Sequence, residues 1–524
     1  MLPRIAMTLG FVITALGWCR WTNAADPPPQ VPTVGVADAI FNDKPSFLVA
    51  AEVNRPTREY REGDFLTIRV TSEEDAYLYV LYQQADGQIF QVFPNKFQQV
   101  NLVKARQAVR VPAESDLFRW SVGAPYGKEV VKVIATKEPV DILSKPELSK
   151  ARFNPVSAKQ LKGVEIELGE DKPIVWGETD VELHTYANAQ PPEQSAQRRW
   201  GVFFGVSKHK FNVYKIAAGQ IQKDAGEEVT FKSNDLSAAH RDAQKFSQMM
   251  KIAGRLDGLK LLTNEQATKA NMQEAITRWL PSVARPGDTV VIYYSGHTGQ
   301  MTDLSGDETD GKDEYLVPHD IFGPAEFNAL GMLYKAGKLN ADDRSFFENQ
   351  ESAIRGLGEN PEAKMIDDSG ITDDLMARWL KRLDGRQVVF ISDSCHSGGF
   401  AQDEATYKSL KPDFTFNLFE GEAVRLKNLG QSNHAIFCAA HANETATERV
   451  TSDMGVMTYC IVEFMNRSQG SQRLEDCFKV CQVEMQRYFD DWNKALAAAG
   501  RTERITPSHP FMINHSSQPV FLKP

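Results

Sequence analysis

The stretch DTVVIYYSGHTG, residues 288–299, is an apolar run that leads into polar and small residues around His297. A second stretch, RQVVFISDSCHSGG at 386–399, follows the same plan and leads into Cys395. Short, nearly continuous apolar runs of this kind are typical of strands that are buried on both faces. We therefore predict two parallel strands, each with polar residues just beyond its carboxyl end.

Two further apolar runs, RWGVFFGVS (199–207) and NHAIFCAA (433–440), have the same character. Helical patterns lie between the runs, and the segment 236–254 carries one apolar stripe with helical spacing. Strands that alternate with helices predict an α/β domain whose mostly parallel sheet is flanked by helices on both faces. In such sheets ligands bind beyond the carboxyl ends of the strands, where His297 and Cys395 are expected to meet.

A cysteine and a histidine at one sheet edge point to nucleophilic catalysis. Histidine takes the thiol proton and returns it to the leaving amine, since its pKa lies near neutrality. Taken singly, Cys395 reads as a packing residue and His297 as a solvated one. A zinc site from His297, Cys395 and His396 lacks a second closely spaced ligand pair, and no G-x-S-x-G elbow supports a serine triad.

The pair YYSGHTG and DSCHSGG, in this order, resembles the catalytic motifs of caspase-like cysteine peptidases, closest to the metacaspases and the bacterial orthocaspases. The resemblance covers residues 199–515 and implies that His297 is the general base and acid and Cys395 the nucleophile. It also implies that the N–H groups of Thr298 and Cys395 bind the oxyanion. Thr298 stands where the family usually has glycine, and we expect Gly299 to absorb the turn instead.

The same resemblance implies a pocket for a basic substrate side chain. Asp393, two residues before Cys395, and Asp242 on the first helix match the pocket acids of metacaspases, and Ser295 matches a pocket wall. A partly desolvated carboxylate pair favours Arg or Lys over an acidic side chain. The alternative for Asp242 is an ordinary exposed carboxylate on a helix.

Two acidic clusters, at 303–320 and 365–376, flank a long insertion between the motifs. The resemblance implies calcium ligands at Asp313, Asp373, Asp374 and, displaced by one position, Asp403. Calcium prefers several carboxylate oxygens on loops, although the pattern is not that of an EF-hand. The alternative is a solvated loop with Asp373 at the start of a helix. We expect no organic cofactor.

An all-β domain is predicted for residues 46–188, because alternating strands rich in β-branched and aromatic residues are separated by turn signals. We expect a small antiparallel sandwich. Its motifs YREGD, DAYLYVLY, FPN and APYG resemble a domain of unknown function that accompanies caspase-like domains in bacteria. This domain carries no acid, base or metal cluster, so we expect it to bind a partner, for example in the cell envelope. A linker at 189–198 follows.

Residues 1–24 read as an export signal: Arg4 precedes an apolar stretch, and small residues follow it. A Pro-rich lead-in at 25–45, extended over 25–35, would follow, and the mature protein would be periplasmic, at the cell surface or secreted. The stretch is short for a membrane anchor. The net charge of -10 argues against a nucleic-acid partner. Cys477 and Cys481 read as buried packing residues rather than a disulfide or a metal pair.

The insertion at 321–364 contains Lys335, Lys338, Arg344, Arg355 and Lys364, and a flexible loop with these residues would invite self-cleavage. The sequence therefore predicts an exported cysteine endopeptidase that cleaves proteins or peptides after Arg or Lys, with calcium activation and self-processing. Two alternatives stay open. One is a weak or inactive caspase-fold scaffold whose β domain contacts envelope partners, and the other is an active peptidase with Asp preference.

Overall fold

The structure, a computed structural model, describes residues 35–42, 45–169, 174–188, 197–304, 311–396, 433–440, 444, 446–449, 451, 453–502, 504–516 and 518–524. For residues 38, 395 and 396 it describes the backbone only. The predicted signal at 1–24 and Asp403 lie outside these ranges, as does most of the predicted linker 189–198.

The N-terminal part is a sandwich of short strands, as predicted. The strands are β1 (Val49–Val53), β2 (Glu59–Arg61), β3 (Phe65–Leu66), β4 (Ile68–Ser72), β5 (Ala76–Gln83), β6 (Ile89–Phe93), β7 (Leu102–Val103), β8 (Val109–Val111), β9 (Trp120–Ser121), β10 (Lys128–Thr136), β11 (Asn154–Val156) and β12 (Trp176–Tyr186). The larger sheet has the order β11-β6-β5-β10-β12-β2, and a smaller sheet has the order β1-β4-β8. The central β5–β10 and β10–β12 pairs are antiparallel, whereas β12 and β2 are parallel.

Two helices that the sequence did not predict cover the outer face of the larger sheet. They are α1 (Val36–Ala39), inside the predicted Pro-rich lead-in, and α2 (Ala158–Glu167). Ser157 caps α2 in a capping box with Gln160, and Val164 of α2 is fully buried in the same cluster as Tyr79 of β5. The strands of this sheet are therefore buried on both faces, because alternate side chains meet the smaller sheet and the two helices.

The second part is an α/β domain with a mostly parallel central sheet. Its strands are β13 (Arg199–Gly205), β14 (Gly258–Thr263), β15 (Thr289–Thr302), β16 (Lys312–Leu316), β17 (Ile371–Thr372), β18 (Gln387–His396), β19 (His434–Cys438), β20 (Gln472–Arg473), β21 (Phe511–Asn514) and β22 (Phe521–Lys523). The central order is β14-β13-β15-β18-β19-β21, in which only the β19–β21 pair is antiparallel. The predicted fold class is confirmed.

Helices flank both faces of this sheet. They are α3 (Asn212–Asp224), α4 (Ala239–Ile252), α5 (Lys269–Glu274), α6 (Leu280–Val283), α7 (Pro324–Lys335), α8 (Ala341–Arg355), α9 (Pro361–Ser369), α10 (Asp373–Lys381), α11 (Val456–Arg467) and α12 (Leu474–Ala498). A π-helical turn, Ala275–Trp279, joins α5 to α6. On β15, Tyr293 joins the core formed with α4, α11 and α12, and Tyr294 joins the core formed with α10. This alternation explains why the strand reads as a continuous apolar run.

The insertion between the motifs is helical, so the prediction of a flexible loop is wrong. Helices α7, α8 and α9 form a small core of their own around Phe322, Leu330 and Phe347, and Phe211 joins it from the residue before α3. Of the basic residues named for self-cleavage, Lys338 lies between α7 and α8, in a short exposed connection, and the other four lie within helices.

Charged side chains join the two parts. Arg386, directly before β18, is 1% exposed and donates from Nη2 to Glu182 Oε2 of β12 at 3.1 Å. Arg382 pairs with Asp180 at 3.1 Å, and Lys381 donates to the carbonyl of Glu178. Asp180 and Glu182 of β12 are thus paired with the α/β domain, while the carboxylate of Glu178 pairs with Lys132 of β10.

Within the described ranges, no helix combines the length and the apolar character needed to cross a membrane. Cys438, Cys460, Cys477 and Cys481 are buried free thiols. The prediction that Cys477 and Cys481 are packing residues is confirmed, since both are fully buried in the core beside α11.

Candidate active site

His297 and Cys395 occupy opposite positions on two neighbouring parallel strands. The β15–β18 register pairs His297 with Cys395 and Ser295 with Asp393. Neighbouring strands lie roughly 4.8 Å apart, so the two motifs are adjacent along the backbone. The sequence predicted that the motifs meet at one sheet edge, and the register brings them together there.

The strand does not end at the first motif, contrary to the prediction. β15 continues through Gly299 to Thr302 and pairs there with β16. A Cβ atom at Gly299 would lie 2.5 Å from the ring of Tyr315 on β16. Glycine is therefore required at this position by a close approach and not by a turn. Thr298 is fully buried in the extended strand, and its backbone does not need glycine.

The imidazole of His297 is held by a backbone carbonyl. Its Nε2 donates to the carbonyl oxygen of Asn234 at 2.6 Å, which places the proton on Nε2 and leaves Nδ1 as the basic nitrogen. Nδ1 is buried and has no hydrogen-bond partner among the described residues. Burial lowers the pKa of His297, and the positive charge of Lys215 lowers it further, against the contact with Asn234. A neutral imidazole whose Nδ1 is not protonated is suited to accept a proton at that atom.

A second histidine packs against the first. The rings of His209 and His297 are stacked with centroids 5.6 Å apart, and His209 is 6% exposed. Burial lowers the pKa of His209 to about 3, with a smaller contribution from His297, so His209 is neutral at physiological pH. It supplies a flat, uncharged wall that limits the movement of the His297 ring. No motif in the sequence marks this contact.

Asp242 lies at the amino end of α4 and is 1% exposed. Its Oδ2 accepts from Ser295 Oγ at 2.9 Å, and its Oδ1 accepts from the N–H of Gly455 at 2.8 Å. α4 comes close to the sheet because Gly205 has no side chain: a Cβ there would lie 2.6 Å from the carbonyl of Ala239. The alternative of an exposed helix carboxylate is therefore wrong.

Asp393 on β18 lies on the other side of Gly455 from Asp242. It is 7% exposed, and its Oδ2 accepts from both the N–H and the hydroxyl of Thr458, at 2.8 and 2.5 Å. Gly455 lies between the two carboxylates, because a Cβ at Gly455 would be 2.3 Å from Asp393 Oδ2. The structure thus gathers Asp242, Asp393 and Ser295 into one buried acidic group beside the two motifs.

Burial dominates the electrostatics of this group. It raises the pKa of Asp242 well above its usual range, and the negative charge of Asp393 adds to this effect. It raises the pKa of Asp393 to about 6, although the two hydrogen bonds from Thr458 act in the opposite direction. Two carboxyl groups at such close quarters titrate as a pair. A bound cation would favour the charged form of both.

The amino end of α11 was missed by the sequence reasoning. Gly455 caps this helix and Thr458 lies in its first turn, so the carboxylates of Asp242 and Asp393 both accept N–H groups from one helix end. Glu448 accepts from the N–H groups of Ser237 and Ala238, just ahead of α4, at 3.2 and 2.5 Å. These contacts come from a segment without a recognisable motif.

The predicted calcium ligands lie together only in part. Asp373 and Asp374 begin α10, directly after β17, and Asp313 lies on β16, which pairs with β17. Asp313 and Asp373 are 5% and 2% exposed, and Asp374 lies 3.6 Å from Arg378. Among the described residues, no three potential ligand side chains are close enough to hold a metal ion. Asp403 lies outside the described residues.

A histidine and a cysteine in register on two central strands of a mostly parallel sheet agree with the predicted class, the caspase-like cysteine peptidases. A family model described as the caspase domain matches residues 227–503, more than half of the chain, and the chain therefore belongs to the caspase-domain family. A second model, for a domain of unknown function (DUF4384), matches residues 59–139. The resemblance predicted for each part is confirmed.

The related curated proteins are metacaspases. Metacaspase-1 of Schizosaccharomyces pombe is 38% identical over 95 residues, which is 17% of this chain and 22% of the relative. Metacaspase-1 of Saccharomyces cerevisiae is 30% identical over 159 residues, 29% of this chain and 27% of the relative. The matches thus span about a quarter of these relatives. A crystal structure of caspase-1 from Spodoptera frugiperda aligns with a TM-score of 0.33 and 8% identity over 64% of this chain and 96% of that chain.

Proposed function

We propose that this chain is a cysteine endopeptidase that hydrolyses proteins or peptides after Arg or Lys. The observation that carries the proposal is the register of His297 opposite Cys395, beside the buried pair Asp242 and Asp393. A paired acidic group favours a long cationic side chain and rejects an acidic one. The experiment that tests the specificity is hydrolysis of fluorogenic peptides with Arg, Lys or Asp at the cleavage position.

In the proposed reaction, the thiol of Cys395 gives its proton to Nδ1 of His297, and the sulfur attacks the substrate carbonyl carbon. The N–H groups of Thr298 and Cys395 stabilise the oxyanion. His297 then gives the proton to the leaving amine, and a thioester acyl-enzyme remains. Water, deprotonated by His297, then attacks the thioester, the carbon–sulfur bond breaks, and the acid product leaves while His297 returns its proton to the Cys395 sulfur. The carbonyl of Asn234 keeps His297 in the tautomer that these reaction steps require.

Calcium activation is a second part of the proposal. Asp313 and Asp373 carry nearly buried carboxylates near one end of the β16–β17 pair, and carboxylate oxygens are the donors that calcium prefers. Calorimetric titration of calcium into the Cys395→Ala protein measures calcium binding independently of peptidase activity. We expect Asp373→Asn to weaken binding and the exposed α8 variant Asp342→Asn to leave it unchanged. Equal calcium binding in all three proteins would contradict these ligands.

Self-processing is proposed at the connection between α7 and α8. Lys338 is exposed there and lies outside both helices, whereas the other four basic residues named above are helical. Intact mass spectrometry should show a cut after Lys338 in active protein, and none in Cys395→Ala or Lys338→Gln protein. Uncut full-length masses for both the active and the Cys395→Ala protein would exclude it.

Export is also proposed, from the apolar stretch and small residues near the start of the sequence. Cell fractionation with a tag at the carboxyl end tests it, and protein found only in the cytoplasm would contradict it. An inactive scaffold remains the competing function. It would be favoured by a folded sample that hydrolyses none of the three peptides, with and without calcium.

A further inference from the structure

The carbonyl that holds His297 belongs to a segment without regular structure. Asn234 lies in the connection between α3 and α4, residues 225–238, which forms neither helix nor strand. An imidazole can be oriented by a loop carbonyl only where the loop itself is held in place. Asn234 must therefore be held in place by contacts with neighbouring elements.

The side chain of Asn234 is held by a buried lysine. Lys215 on α3, 3% exposed, donates from Nζ to Asn234 Oδ1 at 2.8 Å. The same Nζ lies 3.0 Å from Oε1 of Glu326 on α7, which is 4% exposed. The other oxygen of Glu326 accepts from the N–H of Gly323 at the start of α7, at 3.1 Å. A continuous line of polar contacts thus runs from the insertion to His297.

Stability alone does not explain this arrangement. A buried ion pair is on average no more stabilising than apolar residues of the same volume, because desolvation offsets the attraction. Apolar residues, however, could not donate a hydrogen bond to Asn234 Oδ1. The charge on Lys215 needs a partner once it is buried, and Glu326 supplies it from the insertion.

We infer that Lys215 and Glu326 are positioning residues, which hold the carbonyl of Asn234 against His297 and make the insertion a structural part of the active site. This inference rests on the proposed peptidase function for its kinetic consequence. It assigns to α7 the task of neutralising Lys215 and to Lys215 the task of fixing Asn234. Neither residue touches the substrate or the reacting atoms in the proposed reaction.

Other contacts also hold the 225–238 loop against α3, so the loop can stay folded when the contact that orients Asn234 is removed. Asn212 of α3 donates to Asp235 Oδ1 at 2.5 Å. A Cβ at Gly219 of α3 would lie 2.2 Å from the carbonyl of Phe231, so the loop lies directly on the helix. Removal of the contact between Lys215 and Asn234 is therefore expected to loosen Asn234 while the rest of the loop stays docked.

Substitution of the Asn234 side chain gives the sharpest kinetic test, because its backbone carbonyl remains. We expect Asn234→Ala and Lys215→Met to lower kcat by roughly 10–100-fold, as is usual for partners that orient a functional histidine, with a small change in KM. Asn234→Asp, which keeps the acceptor for Lys215, should retain most activity. The double variant should lose no more than the worse single variant, since both remove one contact. Glu351→Gln, which breaks the exposed pair with Arg355 on α8, is the matched control.

A spectroscopic measurement makes the test independent of activity. In Cys395→Ala protein labelled with nitrogen-15 histidine, His297 should show an Nε2-bound proton that is shifted downfield and protected from exchange. The signal should vanish in Lys215→Met and Glu326→Gln and persist in Glu351→Gln, with near-ultraviolet circular dichroism confirming that each variant is folded. A persistent signal in folded Lys215→Met, or kcat within about twofold of the parent, would overturn the inference. Absence of any peptide hydrolysis by the parent, with the signal behaving as expected, would refute the proposed function and leave the positioning contact established.

Discussion

His297 on β15 and Cys395 on β18 are register partners on adjacent parallel strands, although an insertion of three helices separates them in the sequence. The same register places Ser295 beside Asp393 two residues earlier. His297, Cys395, Ser295 and Asp393 are therefore carried by one pair of strands, whereas Asp242 lies on α4. The elements that complete the site, α4 and the amino end of α11, approach these strands from outside the pair.

The first prediction concerns substrate binding. Asp242→Asn and Asp393→Asn should each raise KM for an Arg peptide by roughly 10–100-fold, because each removes a charged hydrogen bond worth about 1.5–3 kcal/mol to the bound cation. Initial-rate kinetics on Arg and Lys peptides measure the effect. Glu463→Gln, which breaks an exposed pair with Arg467 on α11, is the control and should leave KM unchanged. Unchanged KM in both pocket variants would contradict the assignment of the pocket.

The second prediction concerns pH. The carboxyl pair is surrounded by Ser295, Gly455 and Thr458, and its titratable neighbours are Tyr293, Glu448, Cys460 and Cys481. Because burial raises the pKa of Asp393 to about 6, the pocket loses negative charge below that pH. Agmatine, a decarboxylated arginine, should bind Cys395→Ala protein more weakly by up to about tenfold per pH unit below this point. Calorimetry between pH 5 and 8 measures it.

The raised pKa of Asp393 makes folding stability fall as the pH rises, whereas agmatine binding becomes stronger. A carboxyl group whose pKa is raised in the folded state contributes stability below its unfolded pKa of 3.8, and that stability is lost as the pH rises through about 6. Bound agmatine should offset the loss at neutral pH. Agmatine affinity that does not change with pH would show that the pair does not bind the cation.

The third prediction concerns Gly455. Gly455→Ala places a methyl group 2.3 Å from Asp393 Oδ2, so the carboxylate or the start of α11 must move. We expect a loss of about 1–3 kcal/mol in the free energy of unfolding and a raised KM for Arg peptides. Gly123→Ala is the control, because no atom lies within 4 Å of its added methyl group. Chemical denaturation and kinetics on both variants check this, and equal values for the two would show that α11 does not confine Asp393.

The fourth prediction concerns the contact between the two parts of the chain. Arg386→Met removes the most buried of the basic partners of Glu182 and should cost about 1–3 kcal/mol of unfolding free energy, because Lys128 and His184 still contact the carboxylate. The pKa of Glu182 is held well below its usual range by His184 and by the charges of Arg386 and Lys128, against the effect of burial. Arg467→Met, at an exposed pair, should cost less than about 1 kcal/mol. Equal stability of the two variants would mean that β12 is docked by other contacts.

Much of the fold could be predicted because its signals are local. Strands such as β15 are buried on both faces and read as apolar runs, and β5 and β10 carry the enrichment of a β sandwich. The helices of the insertion were missed because their apolar residues, such as Phe347, serve a small separate core and form no long stripe. The extension of β15 past His297 depends on β16, whose pairing lies in tertiary contacts.

The candidate site was predictable to the extent that motifs mark it. His297, Cys395, Asp393 and Ser295 lie within two recognisable stretches. The carbonyl of Asn234 and the hydrogen bonds from Gly455 and Thr458 come from backbone groups or from segments without a motif, so no residue type in the sequence marks them. Their positions depend on how α3 and α11 pack, which the sequence pattern does not specify.

The most direct test of the central claim is turnover of matched fluorogenic peptides with Arg, Lys or Asp at the cleavage position, by the parent protein and by Cys395→Ala. We predict hydrolysis of the Arg and Lys peptides by the parent protein, none of the Asp peptide, and no hydrolysis by Cys395→Ala. Turnover of the Asp peptide alone, or equal turnover by folded Cys395→Ala, would contradict the account.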